Sequence, residues 1–317
     1  MSGLNAKITA FERLLAGEVA ALARAITVLE AGGDRSDALA TRLREHVGAA
    51  RVIGFTGPPG AGKSTLINAY VAALRSRGER VAILAVDPSS PVSGGAVLGD
   101  RTRMGQHSAD CGVFIRSVAA RGHLGGLALS IPAILDAVDA AGWPTIILET
   151  VGAGQAETEI VEFADVKVVL NAPGFGDDVQ AIKAGILEIA DVLVVNKSDL
   201  PLADRTVRQL RAMLELRSAD HRDVPIVTTT AIEHEGLDDL EQAIAGRLAA
   251  RDINVNQRRV RRLHGQLRRQ AEAVFRARLD ALTPDQMNTI CNHMCSGAIS
   301  MDGAAANLAA LVFEVEK

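Results

Sequence analysis

A chain of 317 residues, 48% hydrophobic and 23% charged, can bury a sizeable core, which excludes an intrinsically disordered polypeptide. A net charge of −4, from 34 basic and 38 acidic residues, gives no global pull toward nucleic acid or anionic lipid, and neither is expected as a partner. Cys111, Cys291 and Cys295 do not make a disulfide framework, and there is no signal-peptide core and no run of about 20 apolar residues, so a cytoplasmic location is expected.

In chain order, Leu4, Ile8, Phe11, Leu15, Val19, Leu22, Ile26 and Leu29 recur at steps of three and four. This period predicts one amphipathic helix over 4–31, closed by Gly32-Gly33-Asp34, and a second helix over 36–47. Residues 1–49 are expected to form a helical N-terminal extension. From residue 51 the period changes. Short β-branched runs at 51–57, 80–87, 112–118, 144–151, 166–172, 191–197 and 224–230 alternate with helical stretches. Continuous apolar runs separated by helices predict an α/β fold, with a mostly parallel central sheet flanked by helices over 50–250. Ligands then belong at the carboxyl ends of the strands. After residue 250 the strand signal stops. Helical patterns cover 255–281, a stretch opened by Thr283-Pro284-Asp285, and 303–315, giving a helical tail over 251–317.

Gly57-Pro58-Pro59-Gly60-Ala61-Gly62-Lys63-Ser64 matches G-x-x-x-x-G-K-[ST] directly after the strand RVIGFT and before a helix. Glycines at 57, 60 and 62 let backbone N–H groups turn inward around phosphates. The following helix adds its dipole, and Lys63 adds a point charge at the β and γ positions. Ser64 supplies a hydroxyl to Mg2+. Asp87 ends the second core strand, and Asp100 follows in a loop rich in Ser, Gly and Pro, the composition of a nucleotide-sensing segment. Glu149 ends the strand PTIIL before a Gly-rich turn, the Walker B arrangement that brings a carboxylate near magnesium.

Asn196-Lys197-Ser198-Asp199 follows the strand DVLVV and reads as the N-K-x-D signature of guanine specificity. Asp199 can accept from the N1–H and exocyclic amine of guanine, a donor pair that adenine lacks. Lys197 is expected over the base plane. The next strand leads to Thr230-Ala231, where a loop amide could meet the guanine carbonyl.

Taken together, GFTGPPGAGKSTL, AVDPSSPVSGGAVLGDRTRM, RGHLGGL, ILETVGAGQAE, PGFGDDVQAIKAGI and NKSD, in this order, resemble the MeaB/ArgK family of P-loop GTPases. The family acts as chaperones of adenosylcobalamin-dependent acyl-CoA mutases. The resemblance covers about residues 10–250 and, more loosely, the tail. It implies that Lys63, Ser64 and Thr65 bind GTP or GDP. It assigns Asp87, Asp100 and Glu149 to magnesium, and Asn196, Lys197 and Asp199 to guanine. Asp177, Gln180 and Lys183 match a third switch that couples nucleotide state to the mutase. It also implies a homodimer formed through the helical tail, and GTP hydrolysis that the mutase accelerates. The substrate of that mutase could be methylmalonyl-CoA, isobutyryl-CoA or 2-hydroxyisobutyryl-CoA. GAGQAE stands where GVGQSE is expected, the stretch before VPIVTTTA is short, and Phe275 replaces an expected Trp.

Gln155, Gln180 and Lys183 are candidates to orient the attacking water, and Arg101, Arg103 and Arg121 are candidate arginine fingers. Two alternatives stand beside the chaperone reading: a GTPase for nickel-enzyme maturation and a small-molecule or protein kinase. Cys291 and Cys295, four apart, offer only two convergent ligands, too few for a structural zinc site. They are expected instead in the core of a tail helix. The Arg-rich stretch 258–269 is expected to be a solvated or dimer-facing surface.

Overall fold

All seven β-branched runs become strands: β1 Arg51–Thr56, β2 Val81–Pro88, β3 Val113–Ala120, β4 Thr145–Thr150, β5 Val166–Asn171, β6 Val192–Asn196 and β7 Ile226–Thr229. The computed structural model describes residues 9–88, 105–107, 109–120, 130–150, 163–174, 189–216, 223–250 and 255–314. The strands form one sheet in the order β3-β2-β4-β1-β5-β6-β7, parallel at every pairing. Such a sheet is apolar on both faces because both are covered, which is why the strands read as unbroken hydrophobic runs.

One face is covered by α1 Ala10–Leu15, α2 Val19–Ala31, α3 Asp34–Leu43 and α5 Ile131–Ala140, with Leu22, Ile26, Ile134 and Trp143 fully buried against it. The other is covered by α4 Lys63–Ser76 and α7 Leu237–Ala250, through Leu66, Ile67, Tyr70, Leu240 and Ile244. A smaller cluster lies under α6 Ala203–Glu215, built on Val169, Leu193, Val195 and Leu210. Polar ties set the depth of the central strand. Asp165 Oδ2 accepts from the Val52 amide at 2.8 Å, and Asp139 accepts from the Gly48 and Ala50 amides at 2.7 and 2.9 Å. Arg51 Nη1 donates to Glu241 Oε1 at 2.7 Å, and the Tyr70 hydroxyl bonds the other Glu241 oxygen, so β1, α4 and α7 share one polar junction. Burial holds the Tyr70 phenol well above its usual range, which keeps it the donor of that bond.

The single helix expected over 4–31 is not formed. It breaks between α1 and α2 at Gly17, whose φ is +78°. Periodicity missed the break because the apolar steps of three and four continue across it. A Cβ at Gly17 would stand 3.1 Å from the Ala141 carbonyl oxygen, a tight contact that adds to the strain of the left-handed φ. The second N-terminal helix begins at Asp34 and ends at Leu43, followed by a 3-10 turn over Arg44–His46.

The chain separates into two compact units, Met1–Arg262 and Leu263–Lys317, with the boundary inside α8 Val255–Asp280. In the second unit α9 Pro284–Cys295 is capped reciprocally by Thr283 and Gln286, and α10 Met301–Glu314 follows. Phe275 and Phe313 meet at 6.0 Å between ring centroids. Cys291 and Cys295 are exposed, which corrects their expected place in the core: α9 has no buried residue. No helix among the described residues is long and apolar enough to cross a membrane.

Candidate nucleotide-binding site

The phosphate loop leaves β1, the middle strand of the sheet, at Thr56 and enters α4 at Lys63. Two glycines make this path sterically possible. Gly57 has φ +146°, and a Cβ there would collide with the Leu170 carbonyl of β5. Gly62 has φ +88°, and a Cβ there would stand 2.5 Å from Asn196 Nδ2. Gly62 is also the N-cap of α4 and offers no side chain to its first turn, which leaves that turn suited to an anion. Lys63 is buried, with its ammonium on the carbonyl oxygens of Gly57 at 2.6 Å and Pro58 at 3.1 Å.

Ser64 Oγ donates to Glu149 Oε1 at 2.6 Å. Glu149 sits near the end of β4, opposite Phe55 of β1 and Ala85 of β2, and is 6% exposed. A hydroxyl and a buried carboxylate meeting at the foot of the phosphate helix are hard oxygen donors, a pair that fits Mg2+. Asp87 lies on β2 just past Val86, the partner of Thr150, and its side chain falls outside the described residues. Asp100, Gln155, Asp177, Gln180 and Lys183 fall outside them as well, as do Arg101, Arg103 and Arg121.

The base loop is joined to the phosphate loop through Asn196. Its Nδ2 donates to the Ala61 carbonyl at 2.9 Å, and its Oδ1 accepts from Thr229 Oγ1 at 3.1 Å and the Ala231 amide at 3.2 Å. This side chain is 1% exposed. Lys197 adopts φ +57°, and its ammonium reaches the Gly60 carbonyl at 2.9 Å, so its stem spans the gap between the two loops. Ser198 Oγ and Thr230 Oγ1 meet at 2.9 Å and link the β6 and β7 loops, while Asp199 stays exposed between them. At Thr230-Ala231, where a loop amide could meet the guanine carbonyl, the Thr230 amide donates to the Glu235 carbonyl at 3.2 Å and the Ala231 amide to Asn196 Oδ1 at 3.2 Å. Pro59, Gly60 and Thr65 are exposed along the same edge.

Sequence reasoning missed Thr229. It is fully buried at the end of β7 and its hydroxyl donates to Asn196 Oδ1 at 3.1 Å, and its only sequence signal is a hydroxyl within the run VPIVTTT.

Leu202 carries a cost in the base loop. It is the N-cap of α6, with φ +79° and 54% exposure. An L-residue in the left-handed region costs about 1–2 kcal/mol, and a half-exposed side chain recovers little of it by packing. Leu202→Gly is therefore expected to stabilise the fold by about 0.5–1 kcal/mol, after the greater freedom of glycine in the unfolded chain is subtracted. Chemical denaturation measures this, and a destabilised variant would show that Leu202 packs more than its exposure implies.

A phosphate loop on the central strand of an all-parallel sheet, joined to an N-K-x-D loop two strands away, defines the P-loop GTPase fold. The family model described as "Methylmalonyl Co-A mutase-associated GTPase MeaB" matches residues 22–283, and the chain belongs to that family. The GTPase ArgK of Escherichia coli is 40% identical over 242 residues, covering 73% of each chain. A crystal structure titled "LAO/AO transport system kinase" superposes with a TM-score of 0.74 at 28% identity, over 98% of this chain and 100% of that one. Nickel-bound HypB from Helicobacter pylori, at 18% identity and a TM-score of 0.50 over 68% of this chain and 95% of that one, shows a shared fold alone.

Proposed function

We propose that the chain binds GTP with Mg2+, hydrolyses it to GDP and phosphate, and uses this cycle to gate adenosylcobalamin delivery to a B12-dependent acyl-CoA mutase and to protect that mutase. The observation that carries the nucleotide reading is the Asn196 junction, which makes the phosphate loop and the guanine loop one unit. The mutase reading rests on the family, whose description names methylmalonyl-CoA mutase.

In this reading Asp199 accepts from the two guanine donors, and the Lys197 stem covers the base. The backbone of 57–65 cradles the phosphates. Lys63 turns its ammonium from the Gly57 and Pro58 carbonyls toward the β and γ oxygens. Ser64 and Glu149, with Asp87 and Asp100, would hold Mg2+, which neutralises charge on those oxygens when bound. Water adds to the γ-phosphorus as the bond to the β-γ bridging oxygen breaks, and the proton of the water ends on phosphate. Asp177, Gln180 and Lys183 relay the nucleotide state to the partner. Residues 1–49 act as a helical extension, and 251–317 as a dimerisation arm. Exposed Leu263, Leu267 and Val274 along α8 supply the apolar face that a homodimer would cover.

Among the described residues no three His, Cys, Asp or Glu side chains gather as a metal site, so no observation favours nickel handling. A kinase would need adenine, and Asp199 in N-K-x-D favours guanine. The test is GTP hydrolysis by the purified chain with and without a coenzyme-B12-dependent acyl-CoA mutase from the same source. Stimulation is expected. An unchanged rate with GTP still bound in preference to ATP would keep the GTPase and remove the mutase.

A further inference from the structure

Asp199 is exposed, so the place of its carboxylate beside a base depends on the backbone that carries it. Two bonds hold that backbone at Ser198. The Ser198 amide donates to the Thr229 carbonyl at 3.0 Å, and the Ser198 hydroxyl meets the Thr230 hydroxyl at 2.9 Å. On the far side the Leu200 amide donates to the Lys197 carbonyl at 3.1 Å, which closes the turn around Asp199.

The two bonds at Ser198 do different things. The amide bond continues the parallel pairing in which Asn196 stands opposite Thr229, and so belongs to the sheet. Alone it would leave the peptide between Ser198 and Asp199 free to swing about it. The side-chain bond is a second fixed point on the same residue, and it reaches across 32 positions of sequence to the other base loop. Thr230 is itself well held. It is 1% exposed, and its backbone exchanges two hydrogen bonds of 3.2 Å with Glu235 across a short hairpin. A buried hydroxyl proton without an acceptor is unfavourable, so Thr230 donates and the half-buried Ser198 oxygen accepts. Thr230 thus presents a fixed donor to the residue that precedes Asp199.

We propose that Thr230 is a positioning residue for base discrimination: through Ser198 its hydroxyl fixes the backbone of Asp199, and with it the reach of that carboxylate to the exocyclic amine of guanine. The assignment rests on the GTPase reading above, in which Asp199 accepts from guanine. It gives a role to the variable position of N-K-x-D and to a side chain of the β7 loop.

The test uses the full chain and compares its affinities for GDP and IDP with Mg2+. Hypoxanthine keeps the N1–H and the carbonyl of guanine and lacks only the amine. The GDP-to-IDP ratio therefore reads the Asp199 contact and cancels losses common to both nucleotides. Thr230→Val keeps the shape of the side chain and removes its hydroxyl. It is expected to shrink the ratio about threefold to tenfold, the range of one hydrogen bond. Thr230→Ser restores the donor and is expected to restore the ratio. In an Asp199→Ala background Thr230→Val is expected to leave the ratio unchanged, because the group it positions is gone. Equal losses for GDP and IDP, an unchanged ratio, or the same shrinkage without Asp199 would mean a structural role and overturn the proposal. Should Thr230→Val fail to fold, Ser198→Ala removes the other end of the bond and decides by the same ratio. A wild-type chain that does not prefer GDP to IDP, or an Asp199→Ala variant that keeps the preference, would overturn the guanine reading itself, and the proposal with it.

Discussion

Asn196→Ala is expected to destabilise the fold by about 3–5 kcal/mol and to weaken GDP and GTP together by more than about a hundredfold. The change leaves the Ala61 carbonyl, the Thr229 hydroxyl and the Ala231 amide without their shared partner in a buried setting. Each orphaned group costs about 1–3 kcal/mol, and the costs are not fully additive because the backbone can relax toward the cavity. Both nucleotides suffer alike because the lost tie joins the phosphate loop to the base loop and does not touch the third phosphate. Asn196→Asp separates the parts. It keeps an acceptor for Thr229 and Ala231 but sets a buried carboxylate oxygen against the Ala61 carbonyl, so a loss comparable to that of alanine is expected from this one contact. Denaturant unfolding and equilibrium nucleotide titration measure the two effects. An alanine variant as stable as the wild type would mean that the loops are held by other contacts, with the Lys197 to Gly60 bond the first to examine.

Lys63→Met has the opposite profile. The methionine occupies a similar volume, and the ammonium it removes is bonded to two carbonyls of its own loop. Stability is expected to change by no more than about 1 kcal/mol. Single-turnover hydrolysis of GTP is expected to fall by about 10²–10³-fold, the usual cost of removing one preorganised donor aimed at developing charge. A rate within about threefold of the wild type would show that Lys63 is a loop staple and that charge on the phosphates is neutralised elsewhere. Read beside Asn196→Ala, the pair separates building the site from the chemistry done in it.

The parts of the site legible in the sequence were those whose chemistry is local. Gly57, Gly62, Lys63 and Ser64 must be contiguous because a backbone turn and the helix that follows it form the cradle. Asn196 and Asp199 were legible for the same reason. Thr229 was not, because one hydroxyl in the run VPIVTTT carries no pattern, and only its neighbour across the sheet, Asn196, gives it meaning. The break at Gly17 was hidden as well, since a helical corner of this kind preserves the apolar step on both sides. Cys291 and Cys295 were misplaced because their spacing puts both on one helix face without saying which face is covered.

By itself the sequence determined the number of strands, their parallel class and the chemistry of both loops. These depend on unbroken apolar runs of strand length, on a period of 3.6 residues between them and on motifs a few residues long. The tertiary structure decided the strand order, with β4 set between β2 and β1, so that Glu149 arrives beside Ser64 from 85 residues away. It also decided that the Asn196 amide would close on Ala61, 135 residues earlier in the chain. Those pairings arise because two buried faces can be satisfied together in few registers, a condition on the whole sheet that no short window of sequence contains.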